Sequence, residues 1–260
     1  MGEPVRSAFS VEGEGAPLIL IHGIGASRHS WDGIVDRLRS KYRCITYDLR
    51  GHGKSPVPPT PYILDDLVDD LEALRSELGL VKAHFAGHSL GGMIGPAYAR
   101  RYPDRVISLG LLSTAAGRTA EDAAKVKGIV AAMRQRGIAP VLEALTDRWF
   151  TPEFAARRPD VIARRMQQVI DCNPEVFLSV FDIYAATEMA PWLGEIEAPS
   201  LVLTGEFDGG CPPRLNEFIA RTMPHAELVV LPNLRHAILL EAPDQVAPPL
   251  MKFLSQHGSG

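Results

Sequence analysis

Six short apolar runs, separated by longer stretches with apolar residues three and four apart, constrain this chain more than any other feature of its sequence. The runs are residues 18–21, 44–48, 83–87, 106–112, 201–205 and 228–231. A run with little polar alternation is buried on both faces, which a strand achieves inside a parallel sheet. Parallel neighbours in turn need a long crossover, and a helix fills it. Segment 65–78 supplies such a helix, with Leu67, Leu71, Leu74 and Leu78 on one stripe. Residues 91–101, 215–222 and 245–254 also read as helices. The expected class is α/β, with a mostly parallel central sheet flanked by helices.

The alternation breaks between residues 117 and 193, where patterns such as KVKGIVAAMRQRG and PDVIARRMQQVI replace the strand signals. This predicts a helical insertion. The expected division is one core, 1–116 with 194–260, and a helical cap over 117–193. A chain of 260 residues with 46% hydrophobic content is long enough for one such core. The large apolar side chains of the cap are expected to pack a small core of its own, with some lining whatever cavity the cap covers. Met133, Trp149, Phe150 and Met189 are the pocket candidates from the cap, and His22 joins them from the core.

Charge excludes several classes of partner. The formal net charge is −4 and no block of like charge occurs, so neither nucleic acid nor a membrane surface is an expected partner, and a small molecule is. Oligomeric state is left open, since no heptad pattern appears. The three cysteines, Cys44, Cys172 and Cys211, are odd in number and far apart, which fits reduced thiols. With no basic leader followed by an apolar run, the expected location is the cytoplasm.

The chemistry is concentrated in FAGHSLGG, residues 85–92, where Ser89 falls between a strand and a helix. A sharp turn there lifts the hydroxyl clear of the sheet, and Gly87 and Gly91 let neighbouring backbone approach without a side chain in the way. Serine is a weak nucleophile and needs an imidazole oriented by a carboxylate. Farther along, LVLTGEFDGG places Asp208 in the loop after a strand, and LPNLRHAILLEAP places His236 after the last strand. Asp208 is preferred to Glu206 because it lies deeper in the loop, followed by two glycines. The order Ser89, Asp208, His236 suits this architecture. An oxyanion hole needs two backbone N–H donors, for which Leu90, after the serine, and Ile24, in the loop after the first run, are the candidates. His22 is expected to hold that loop by hydrogen bonding.

With these residues in place, the chain resembles the α/β-hydrolase superfamily over essentially its whole length. The resemblance rests on HGIG at His22, YDLRGHGKS at residues 47–55, GHSLGG at Gly87, and the Asp208 and His236 loops in order. It implies a helical lid inserted after the sixth strand, and a structural role for Asp48, Arg50 and His52. Within the superfamily the chain looks most like the lid-bearing branch of carboxylesterases and 3-oxoadipate enol-lactonases. The implied activity is hydrolysis of a small carboxylic ester or lactone through an acyl-serine, with no cofactor and no metal. Three alternatives stay open: a C–C bond hydrolase, a cofactor-free perhydrolase or haloperoxidase, and a small-molecule receptor of the same fold.

Overall fold

A computed structural model describes residues 2–258. Seven strands form one sheet: β1 (Phe9–Glu12), β2 (Ala16–Ile21), β3 (Tyr42–Tyr47), β4 (Ala83–His88), β5 (Val106–Leu112), β6 (Ser200–Gly205) and β7 (Ala226–Leu231). Their order across the sheet is β1-β3-β2-β4-β5-β6-β7. All neighbours are parallel except β1, which runs antiparallel to β3 along the edge, with Phe9 opposite Tyr47. The sequence reading omitted β1. Its FSVE is short and only partly covered, so it lacks the continuous apolar run of a buried strand.

The crossovers cover both faces. Helices α1 (Asp32–Leu38), α2 (Leu64–Glu77) and α3 (Gly91–Arg101) follow β2, β3 and β4. Leu67, Leu71 and Leu74 of α2 pack with Met93, Ile94 and Tyr98 of α3 against Ile19 and Ile21 of β2. The alternate residues Leu18 and Leu20 face the other way, towards Ile34 and Leu38 of α1. Period-two alternation thus assigns each β2 residue to one of two cores.

After β5 the chain leaves the sheet for six helices: α4 (Ala120–Arg136), α5 (Ile138–Glu143), α6 (Thr146–Trp149), α7 (Pro152–Arg157), α8 (Pro159–Ile170) and α9 (Pro174–Ala186). The excursion was expected after a sixth strand. In this chain β5 is the fifth strand of the described residues, because only β1 to β4 precede it. The chain then returns through β6, α10 (Pro213–Thr222), β7, α11 (Ile238–Glu241) and α12 (Pro243–Gln256). Val246, Leu250 and Phe253 of α12 complete the core under α1. Among the described residues, no helix is long and apolar enough to cross a membrane.

Candidate active site

Ser89 sits between β4 and α3 with φ at +55°, in the left-handed region that non-glycine residues seldom occupy. Several contacts enforce this conformation. The Ser89 amide donates to the Leu112 carbonyl at 2.9 Å. Its own carbonyl accepts from Thr114 Oγ1 at 2.9 Å. The glycines are obligatory for space: a Cβ at Gly87 would lie 2.0 Å from the Gly91 carbonyl oxygen, and one at Gly91 would lie 2.2 Å from that of Ile21. Such approaches leave room for hydrogen only. The Ser89 hydroxyl makes no hydrogen bond among the described residues, and Ser89 borders a cavity of about 380 Å³ between the sheet and the inserted helices.

His236 borders the same cavity. Its Nδ1 donates to Asp208 Oδ1 and Oδ2 at 3.0 and 2.9 Å, which leaves Nε2 as the free ring nitrogen. Asp208 is buried at 2% exposure and also accepts from the Gly210 and Cys211 amides at 2.9 and 2.7 Å. Burial opposes its ionisation, but the neighbouring His236 and these amides outweigh burial and hold the carboxyl below its ordinary pKa. Glu206 instead turns towards the surface and accepts from the Asn233 amide at 3.0 Å.

Two backbone donors next to this region are unspent: Ile24 borders the cavity and Leu90 follows Ser89 in the chain. Neither the Ile24 nor the Leu90 amide has an acceptor among the described residues. The Ile24 loop is fixed by two histidines that hold one tautomer each. His22 Nδ1 donates to the Gly23 carbonyl at 2.8 Å while its Nε2 accepts from the Leu49 amide at 3.0 Å. His52 Nδ1 donates to the Arg50 carbonyl at 3.0 Å while its Nε2 accepts from the Gly25 amide at 3.1 Å. Burial, and then the adjacent His52, lower the His22 pKa to about 3; burial likewise lowers that of His52. Both rings are therefore neutral braces. Asp48 accepts from the Arg28 and Lys54 amides at 2.8 and 3.0 Å and pairs with the Arg28 guanidinium, and Arg50 pairs with Asp70 at 2.7 Å beneath the surface.

Of the residues expected in the pocket, Trp149 and Phe150 border the cavity and three do not. His22 is fully buried below the Ile24 loop, where its two hydrogen bonds place it. Met133 points into the core of the inserted helices with Leu142, Val169 and Phe177. Met189, in the connection between α9 and β6, belongs to the main core with Tyr184 and Leu193. The cavity receives Phe177, Phe181 and Tyr184 from α9 instead. Apolar side chains of one helix divide between two environments according to face, which composition does not reveal.

Two site residues escaped the sequence reading. His88 Nε2 donates to the His236 carbonyl at 2.9 Å, and the two rings lie 4.9 Å apart. Burial, and then the neighbouring His236, lower the His88 pKa to about 3, so a neutral imidazole pins the loop that carries His236. Arg165 of α8 reaches down to the Gly25 and Ile24 carbonyls at 2.5 and 2.9 Å. It ties the inserted helices to the Ile24 loop, which borders the cavity. As one of two adjacent arginines in an amphipathic helix, it carries no sequence signal that sets it apart from Arg164.

Known proteins share this arrangement of elements. The sequence profile of the family described as alpha/beta hydrolase fold matches residues 16–243. The 3-oxoadipate enol-lactonase 2 of Acinetobacter baylyi is 29% identical, over 82% of this chain and 79% of its own. A solved structure of a thermophilic esterase from Thermogutta terrifontis, with malate bound, is 30% identical and superposes with a TM-score of 0.89 over 98% of this chain and 95% of that one. The enol-lactonase from Burkholderia xenovorans is 27% identical, with a TM-score of 0.89 over 96% of this chain and 97% of that one.

Proposed function

This chain belongs to the alpha/beta hydrolase fold family, and from that premise we propose that it is a serine hydrolase cleaving a small carboxylic ester or lactone. The observation that carries the proposal is the convergence on one cavity of a left-handed Ser89, the His236 ring bonded to buried Asp208, and Ile24, whose amide is unspent. The similar proteins named an esterase and enol-lactonases support the substrate class. In this reading residues 1–116 and 194–260 form the hydrolase core, and 117–193 form the cap over its site.

Ser89 Oγ attacks the carbonyl carbon while His236 Nε2 takes the hydroxyl proton. Asp208 holds the imidazole in the required tautomer and stabilises the imidazolium. The carbonyl oxygen becomes an oxyanion facing the Ile24 and Leu90 amides, a term worth roughly 100- to 1000-fold in rate per donor. Collapse breaks the ester C–O bond, and the leaving oxygen takes the proton from His236. Water then attacks the acyl-serine with His236 again as base, the acyl–Oγ bond breaks as Ser89 Oγ takes the proton back from His236, and the acid departs. In a lactone the leaving oxygen remains tethered to the acyl group, so the same steps open the ring.

The test is turnover of a panel of acyl esters and lactones of varied length by the wild type and by Ser89→Ala. Multiple turnover that disappears in the variant is expected, and the ratio of lactone to linear ester rates ranks the two substrate classes. Hydrolysis retained by purified Ser89→Ala, or none by the wild type on any member, overturns the proposal.

A further inference from the structure

Three successive peptide units make up the loop around Ile24, and each is planar, so fixing one end of a unit fixes the direction of the other. In the first, the Gly23 carbonyl accepts from His22 Nδ1 at 2.8 Å and from the Ala26 amide at 3.3 Å. In the second, the Gly25 amide donates to His52 Nε2 at 3.1 Å, and the Ile24 carbonyl accepts from Arg165 Nη2 at 2.9 Å. In the third, the Ala26 amide is the one bonded to Gly23, and the Gly25 carbonyl accepts from Arg165 Nη1 at 2.5 Å. Among the described residues, the Ile24 N–H is the one polar group of these units without a partner.

The supports come from two directions. His22 and His52 hold the loop from the core, whereas Arg165 holds it from α8 of the inserted helices, 140 residues farther along the chain than Gly25. Gln168 of the same helix adds a bond from its Nε2 to Ser27 Oγ at 2.9 Å. The Arg165 guanidinium lies 6.0 Å from the centre of the Trp149 ring and has no ion-pair partner among the described residues. Burial lowers its pKa to about 10, so it stays charged at neutral pH. A partly buried cation without a carboxylate is costly to keep, but a charged donor makes the stronger hydrogen bond to a carbonyl. Its planar fork also matches two neighbouring oxygens. The charge is committed to the loop.

We infer that Arg165 is a positioning residue for hydrolysis, holding the second and third peptide units from the inserted helices so that the Ile24 N–H stays turned towards the oxyanion. The inference rests on the hydrolase reading for the role of that N–H. Without Arg165, the Ile24 and Gly25 carbonyls lose the partners they have among the described residues. Those units can then rotate and redirect the N–H, while the hydrogen bonds between His236 and Asp208 stay in place.

The test compares wild type, Arg165→Met and Arg165→Lys in steady-state hydrolysis of p-nitrophenyl butyrate, in inhibition by butylboronic acid, and in deuterium exchange of the peptide covering residues 22–28. The boronate adduct of Ser89 carries an oxygen where the oxyanion forms, so its affinity reports on the donors there. Arg165→Met is expected to lower kcat at least about tenfold with KM within about threefold, to weaken boronate inhibition by a similar factor, and to speed exchange of the loop. Arg165→Lys should recover part of each, since it returns the charge but not the fork. Unchanged kcat and boronate inhibition in Arg165→Met overturn the inference even if Tm falls, because the contact would then be structural only. A loss of kcat without faster loop exchange overturns it as well, because charge alone would account for the loss. Should Arg165→Met fail to fold, Arg165→Lys decides by the same criteria. Wild type that neither hydrolyses the ester nor binds the boronate overturns the hydrolase reading on which the inference rests, whereas wild-type turnover that Arg165→Met retains overturns the inference alone.

Discussion

Acidification should unfold this protein steeply, through histidines that the fold keeps neutral. Burial lowers the pKa of His22 to about 3, of His84 to about 4 and of His88 to about 3, with neighbouring imidazoles adding to each. In the unfolded chain the same rings return to about 6.5. Between these values the unfolded state binds protons that the folded state refuses, so stability is complete above about pH 6.5 and is lost as pH falls towards the folded values. From pH 6.5 to 5.0 each ring removes about 1.6 kcal/mol, and the three together about 5 kcal/mol, a large part of the 5–15 kcal/mol typical of a domain. His52 acts in the same sense. Asp70, whose carboxyl is raised by burial, acts in the opposite one and softens the lower end of the fall. Urea titrations at half-unit pH steps measure the curve directly. His84, bonded to Ser108 Oγ at 2.7 Å and away from the cavity, supplies the control: His84→Gln should remove about a third of the drop. A stability that changes by less than about 1 kcal/mol between pH 6.5 and 5.0 would refute the reasoning, since at least two rings would then have to accept protons in place.

Four further outcomes are expected. Asp208→Asn should lower kcat by roughly 10⁴ with little change in KM, because an amide presents a donor where His236 Nδ1–H needs an acceptor; a loss under tenfold in steady-state kinetics would reassign the acid. His88→Ala, which frees the His236 carbonyl, should reduce kcat by about 10- to 100-fold, a barrier change of about 1.4 to 2.7 kcal/mol, while leaving the far-ultraviolet circular dichroism spectrum intact. Gly91→Ala should prevent soluble folding or lower Tm by more than about 10 °C, as its Cβ meets the Ile21 carbonyl; a normal melting curve would mean that the elbow relaxes. Asp70→Ala should cost about 3 kcal/mol in chemical denaturation by removing the two-point partner of the buried Arg50 guanidinium and leaving it only Asp66, at 3.7 Å.

Much of the fold was legible because burial on both faces leaves a continuous apolar run. Strands β2 to β7 were each marked by such a run, with ends shifted by no more than two residues. The edge strand β1 was not, because water on one side removes the signature that identifies the others. The serine, acid and histidine candidates were legible for a related reason. Gly87, Gly91, Gly209 and Gly210 mark where the backbone must turn tightly, and side chains at strand ends are the ones that can meet above the sheet. The pocket was read less well. Met133 carries the same apolar chemistry as Phe181, and only the direction of each side chain from its helix separates the core residue from the lining one.

The sequence by itself determined the order of the elements from β2 onward and the position of the sharp turn at Ser89, since these follow from local periodicity and from turn chemistry within a few residues. Only the tertiary structure decided that His88 braces the loop carrying His236. It also decided that an arginine of the inserted helices clamps the Ile24 loop. Those outcomes depend on what lies within about 3 Å of a polar atom. For Arg165 and Ile24, or His88 and His236, the chain brings that partner from more than a hundred residues away.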